Sequence, residues 1–144
     1  MTNSTELLYV ISGEDFSSAG EASTSFKNEM KNLNVPADVI RKAAIAMYEG
    51  EINMVIHANG GTARVTVDDQ DITIVLSDNG PGIEDVDRAM QAGFSTATDG
   101  IRDLGFGAGM GLPNMKKYAD ELTIETRKGR GTTVTMVVHI QEDT

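Results

Sequence analysis

Residues 37–57, ADVIRKAAIAMYEGEINMVIH, constrain the fold more than any other stretch of the chain. At about 100° of turn per residue, Ile45, Tyr48, Ile52 and Ile56 line up as one apolar stripe of a helix. Ile40, Ala44, Met47, Met54 and Val55 form a second, broader stripe. A helix apolar over most of its circumference is buried on more than one side, so the rest of the chain must supply a layer to cover it. Between the stripes runs a narrow polar line of Glu49, Asn53 and His57, spaced i, i+4, i+8 and therefore stacked. That line faces either water or a cavity that uses it. Gly50 interrupts the helix interior at a cost of about 1 kcal/mol against alanine, which implies close packing or a ligand. Val35-Pro36-Ala37-Asp38 opens the helix, with proline near its first turn.

The flanking segments show what the covering layer is. Residues 7–11 read as a strand and residues 16–33 as a weaker amphipathic helix. Residues 63–67 and 72–76 read as strands joined by the polar turn Asp68-Asp69-Gln70-Asp71. Asp78-Asn79-Gly80-Pro81-Gly82 breaks the pattern, residues 84–91 suit a short helix, and residues 92–106 are irregular. Pro113 sits near the start of a helix running to about Ala119. Strands over 121–126 and 132–140 flank the hairpin turn Arg127-Lys128-Gly129-Arg130-Gly131. Helices early, hairpins late and few βαβ crossovers predict an α+β two-layer sandwich. Its sheet is mixed but largely antiparallel, with helices packed on one face. At 144 residues, the whole of 1–144 is expected to form a single domain.

Composition removes several functions. A net charge of −10 argues against broad, sequence-independent contact with nucleic acid or an anionic membrane. No cationic-apolar leader and no membrane-length apolar run stand out. The chain has no cysteine, hence no disulfides or thiolate metal sites, which fits a cytoplasmic protein. An acidic protein that binds an anion must do so locally, through backbone N–H groups, a helix end or a metal.

GFGAGMGLPN, residues 105–114, supplies such a place. Its alternating glycines weaken any helix or strand and suit a backbone that something approaches closely. A GxGxxG match alone says little. The order of four pieces says more: Glu49-x-x-x-Asn53 on a helix, Asp78-x-Gly80-x-Gly82 after a strand, Gly105-x-Gly107-x-Gly109-x-Gly111, and Gly129-x-Gly131-Thr132 between strands. Together, over about residues 40–140, they resemble the Bergerat-fold (GHKL) ATP-binding superfamily of gyrase, chaperone ATPases, mismatch-repair ATPases and histidine kinases. Ala92-Gly93-Phe94-Ser95-Thr96-Ala97, Gly111-Leu112-Pro113-Asn114-Met115 and Gly129-x-Gly131-Thr132-Thr133 most resemble the anti-sigma-factor and switch serine/threonine kinases of bacterial partner-switching pathways.

The resemblance implies ATP and Mg²⁺ as cofactors and assigns roles. Glu49 is the implied general base on the group attacking the γ-phosphate, and Asn53 offers a neutral oxygen to Mg²⁺. Glu51, next but one along the helix, points to another face and is the second candidate for the base. Asp78 either accepts from the adenine amine or merely opens an Asx turn. Gly80, Gly82 and Ile83 run under the base. Gly105, Gly107, Ala108, Gly109, Met110, Gly111 and Leu112 form the phosphate end, where a helix start offers N–H groups. Thr132 either reaches the adenine edge or is simply a β-branched strand residue. Residues 94–109 are expected to act as a nucleotide-dependent lid. The implied partner is a small antagonist of the sulfate-transporter/anti-sigma-antagonist (STAS) type, with a sigma factor or phosphatase as further partners and a homodimer left open. Three functions compete: a serine/threonine kinase of that antagonist, a nucleotide-gated binding module, and a histidine-kinase-like ATPase subunit. His57 is expected to support the polar line, and His139 to end a strand.

Overall fold

A computed structural model describes residues 4–13, 19–58, 60–80, 111–127 and 129–140, with Ile56, His57 and Gly111 as backbone only. In chain order the described elements are β1 (Thr5–Ser12), α1 (Glu21–Asn32), α2 (Ala37–His57), β2 (Gly60–Val67), β3 (Asp71–Ser77), α3 (Gly111–Tyr118), β4 (Glu121–Arg127) and β5 (Gly131–His139). The strands form one sheet in the order β1-β2-β3-β5-β4. Every pairing among them is antiparallel, so the expected two-layer α+β arrangement is present and the described sheet is antiparallel throughout.

Strand alternation sorts the sheet into two faces. Ala63, Val65 and Val67 of β2, Ile72, Ile74 and Leu76 of β3, and Val134, Met136 and Val138 of β5 are buried together. The alternate residues, such as Thr66, Thr73 and Thr135, are only half-buried. The helices cover the apolar face, with α2 in contact with both α1 and α3. On α2, Ile40, Ala44, Met47, Ile52, Met54 and Val55 are buried, whereas Tyr48 is 39 % exposed and Ile45 only half-buried. The narrower predicted stripe is thus partly at the surface. Gly50 has a packing reason: a Cβ there would collide with Leu76 Cδ1 of β3 and sit 3.4 Å from Met115 Sδ of α3. The glycine lets α2 settle onto the sheet and α3 at once.

Helix α1 starts at Glu21, later than the apolar pattern suggested, because Gly20 turns the chain at φ 98. No side chain of its own caps the helix. The cap comes from α2. Glu51, 2 % exposed, takes the backbone N–H groups of Gly20 (2.9 Å), Ala22 (3.2 Å) and Ser23 (3.1 Å), and the Ser23 hydroxyl at 2.9 Å. A carboxylate suits this position because the first N–H groups of a helix lack intrahelical partners and carry partial positive charge. Both oxygens of Glu51 are occupied, so the residue ties α1 to α2 and has no lone carboxylate oxygen to offer a substrate.

Candidate functional site

At its C-terminal end β3 leaves the sheet through Asp78. The last register pair is Ser77 with Thr133, and the ladder goes one step further: Asp78 N–H donates to the Thr132 carbonyl at 3.0 Å. The reciprocal bond is made by the side chain, with Thr132 N–H donating to Asp78 Oδ1 at 3.2 Å. The same oxygen accepts the Gly80 N–H at 2.9 Å. The Asx turn is therefore real, and it coexists with a bond to a residue on the neighbouring strand. Among the described residues, Oδ2 accepts no hydrogen bond.

Two glycines make this end possible. A Cβ on Gly131 (φ 124) would collide with the Asp78 carbonyl oxygen, so the backbones meet in direct contact. A Cβ on Gly80 would lie 2.8 Å from Ala58 Cα, which presses the turn against the end of α2. Thr132 is 8 % exposed, and its hydroxyl is 2.9 Å from that of Thr126 on β4. Asp78, Gly80 and Thr132 thus come together at the end of the sheet nearest the C-terminus of α2.

The polar line of α2 leads away from that corner. Asn53 and Glu49 are both half-buried. Nine residues separate Glu49 from Ala58, about 14 Å along the helix axis. Glu49 meets the first turns of α3, where Asn114 Nδ2 donates to its Oε1 at 3.1 Å. Burial raises the Glu49 carboxyl above the ordinary glutamate range, partly offset by the Asn114 bond, which favours the charged form. Leu112 and Met115 anchor α3 in the core beside this pair. Of the other predicted site residues, Gly111 is placed as backbone at the start of α3. Gly82, Ile83, Gly105, Gly107, Ala108, Gly109 and Met110 lie outside the described residues, as do the predicted helix over 84–91 and the lid over 94–109. Among the described residues, no three histidine or acidic side chains converge as a metal cage.

Sequence reasoning missed Asn114 and Thr126 as members of this region. Asn114 stood in the GLPN motif, but its contact with Glu49 depends on how α3 packs. Thr126 was one β-branched residue among many.

From residue 40 to residue 142, from the first turns of α2 to beyond β5, the sequence matches the family described as histidine kinase-, DNA gyrase B- and HSP90-like ATPase. The chain belongs to this family. Several relatives of the chain carry the name anti-sigma F factor. The chain is 37% identical over 113 residues to an anti-sigma F factor of Caldanaerobacter subterraneus subsp. tengcongensis, covering 75% of this chain and 76% of the relative. It is 31% identical over 147 aligned residues to an anti-sigma F factor of Thermoanaerobacter sp. (strain X514), covering 99% of this chain and 97% of that one. The fold also matches the crystal structure of the RsbU and RsbW domains of a Mycobacterium tuberculosis protein. There the TM-score is 0.66 at 14% identity, over 97% of this chain and 34% of that one. That likeness is one of fold, and it takes in β1 and α1 as well as the residues that match the family.

Proposed function

We propose that this ATPase-family chain is a regulatory serine/threonine protein kinase of the anti-sigma type, which binds Mg·ATP and passes the γ-phosphate to a serine or threonine of a small antagonist protein. One observation carries the reading. The two polar ends of the α2 line differ in the way the two ends of a nucleotide require: a fixed acceptor corner at Asp78 and Thr132, and a carboxylate of raised basicity at Glu49.

At the first end, Asp78 Oδ2 would accept a hydrogen of the adenine amine, with Gly80 holding the backbone beneath the base. At the other, Glu49 would take the proton from the attacking hydroxyl. A base is most effective when its pKa approaches the working pH, and the burial of Glu49 moves it that way. Asn114 would hold the carboxylate in place. The engagement of Glu51 as the α1 cap favours Glu49 over Glu51 for this role. Asn53, half-buried between the two ends, would lend a neutral oxygen to Mg²⁺. A magnesium ion keeps several waters and leans on phosphate oxygens, which fits a site whose described residues form no acidic cage. When bound, the ion supplies charge neutralisation at the phosphates. The start of α3 and residues 105–110 would hold the phosphates through backbone N–H groups.

The relatives' name extends the reading to a sigma factor held by this chain, and the phosphoacceptor we propose is the STAS-type antagonist that the motif resemblance implies. No described helix is long and apolar enough to cross a membrane. The proposed sigma-factor partner is the ground on which we propose a cytoplasmic location. The test is incubation with γ-labelled Mg·ATP and a co-expressed antagonist. Label on a serine or threonine of the antagonist, with matching ADP, is the expected result. Tight ATP binding with no label transferred would favour a nucleotide-gated binding module instead.

A further inference from the structure

Asparagine is a poor helix former, because its amide competes for nearby backbone groups, yet Asn114 stands half-buried in the first turns of α3. Its amide crosses instead to α2, where Nδ2 donates to Glu49 Oε1 at 3.1 Å. The next residue on each helix makes the neighbouring contact. Met115 is 1 % exposed, and its Sδ lies 3.4 Å from where a Cβ on Gly50 would be. The two helices thus touch at consecutive residues, with a dry contact at Gly50 and Met115 and a polar one at Glu49 and Asn114. The dry contact sets how closely the helices approach, and a side chain as short as asparagine then reaches the carboxylate. Among the described residues, Oε2 of Glu49 accepts no hydrogen bond.

We propose that Asn114 is a positioning residue that holds Glu49 by Oε1, so that Oε2 alone takes the proton of the attacking hydroxyl. The proposal rests on the reading of Glu49 as the base and deepens it. The last torsion of a glutamate side chain is broad, and a carboxylate held at neither oxygen offers both to a proton. A bond to Oε1 fixes the carboxylate and leaves one oxygen for the chemistry. As the hydroxyl oxygen bonds to the γ-phosphorus and the bond to ADP breaks, the hydroxyl proton passes to Oε2. Oε1 is then the carbonyl oxygen of the acid and still accepts from Asn114, so the bond outlasts the step. The same bond favours the charged carboxylate, whereas burial disfavours it. Among the described residues no charged side chain adds to these causes: Glu51 of α2 is turned to the α1 cap, and Lys116 and Lys117 of α3 are exposed.

NMR titration of the Glu49 carboxyl in the full chain without nucleotide, paired with single-turnover transfer from γ-labelled Mg·ATP to the antagonist, tests this. The carboxyl should titrate at higher pH in Asn114→Ala than in the wild type, and higher still in Asn114→Asp, where a second carboxylate opposes the charge. Asn114→Gln keeps the amide donor and should fall between wild type and alanine. Transfer by Asn114→Ala should be about tenfold slower, the scale of one hydrogen bond, with Mg·ATP affinity close to wild type. In a Glu49→Gln background the same substitution should slow transfer no further, because Asn114 acts only through Glu49. Asn114→Asp keeps the shape of the side chain and so keeps the comparison readable if the alanine variant fails to fold. An unmoved Glu49 titration in the folded variants overturns the proposal. So does wild-type transfer by Asn114→Ala, or a loss of rate that persists in the Glu49→Gln background. Transfer at the wild-type rate by Glu49→Gln instead overturns the reading of Glu49 as the base and takes the proposal down with it, whether or not the titration moves.

Discussion

Asp68 and Asp78 stand at the two ends of β3, and each folds its carboxylate back onto the turn beside it. Asp68 Oδ1 accepts the N–H groups of Gln70 and Asp71, both at 2.8 Å and both within three residues. Asp78 Oδ1 accepts one local N–H, from Gly80, and one from Thr132, 54 residues away. Asp68 is a surface turn, and the Asp71 and Gln70 N–H groups hold its carboxyl below the ordinary range. Around Asp78 the chain closes in, with Gly131 against its carbonyl and Gly80 against α2. The same residue preference for opening a turn therefore gives a loop end in one place and, in the other, the corner we propose for the adenine. What separates them is the remote partner, together with the glycines that let backbones meet.

The comparison can be broken most forcefully at Gly131. Gly131→Ala would drive a Cβ into the Asp78 carbonyl at a positive φ, and should cost about 3 kcal/mol or more of unfolding free energy in denaturant melts. Gly129→Ala, in the same hairpin, meets open space and should cost only the αL penalty of about 1 kcal/mol. Equal losses would mean that Asp78 and Gly131 do not meet as described.

A smaller effect separates the two aspartates themselves. Asp78→Asn places an amide where an acceptor is needed and should weaken Mg·ATP binding by about 1–3 kcal/mol in calorimetry. Asp68→Asn should leave the ATP affinity at the wild-type value. A loss shared by both variants would point to a general effect of charge rather than a nucleotide corner.

The smallest effect belongs to the far end of the sheet. His139 Nδ1 lies 2.6 Å from Asp71 Oδ1, and this bond, helped by the charges of Asp120 and Asp71, raises the histidine above its ordinary value of 6.5. The folded state then holds the proton to higher pH than the unfolded state. Its stabilisation is fully present below 6.5 and is lost as pH rises through the raised value. His139→Gln should therefore be less stable than the wild type on the acid side of that window and level with it on the alkaline side. ATP affinity should be indifferent to the change. A stability gap that stayed constant with pH would dismiss the ion pair as a contributor.

Much of this architecture was legible because side-chain periodicity is local. Helix α2 starts and ends where its pattern does, and each described strand lies within three residues of its alternating run. Motif order led to Asp78, Thr132, Glu49 and Asn53 before any packing was known. What stayed hidden depends on which elements touch. Glu51 looked like a rival to Glu49 two residues away, yet it serves α1 across some thirty residues of sequence. The pairing of Asn114 with Glu49 and the contact of the Thr126 and Thr132 hydroxyls likewise exist only once α3 and β4 are docked. Gly50 left packing and a ligand equally open, and Leu76 with Met115 decides for packing.

The claim that one nucleotide runs from the Asp78 corner to Glu49 is tested most directly at Glu49. Mg·ATP affinity and single-turnover phosphoryl transfer should be measured on the same Glu49→Gln preparation. The account predicts an affinity close to wild type and transfer slowed by about 10²–10⁴-fold, with wild-type transfer rising with pH through a midpoint above the ordinary glutamate value of 4.5. Transfer by Glu49→Gln at the wild-type rate would contradict it.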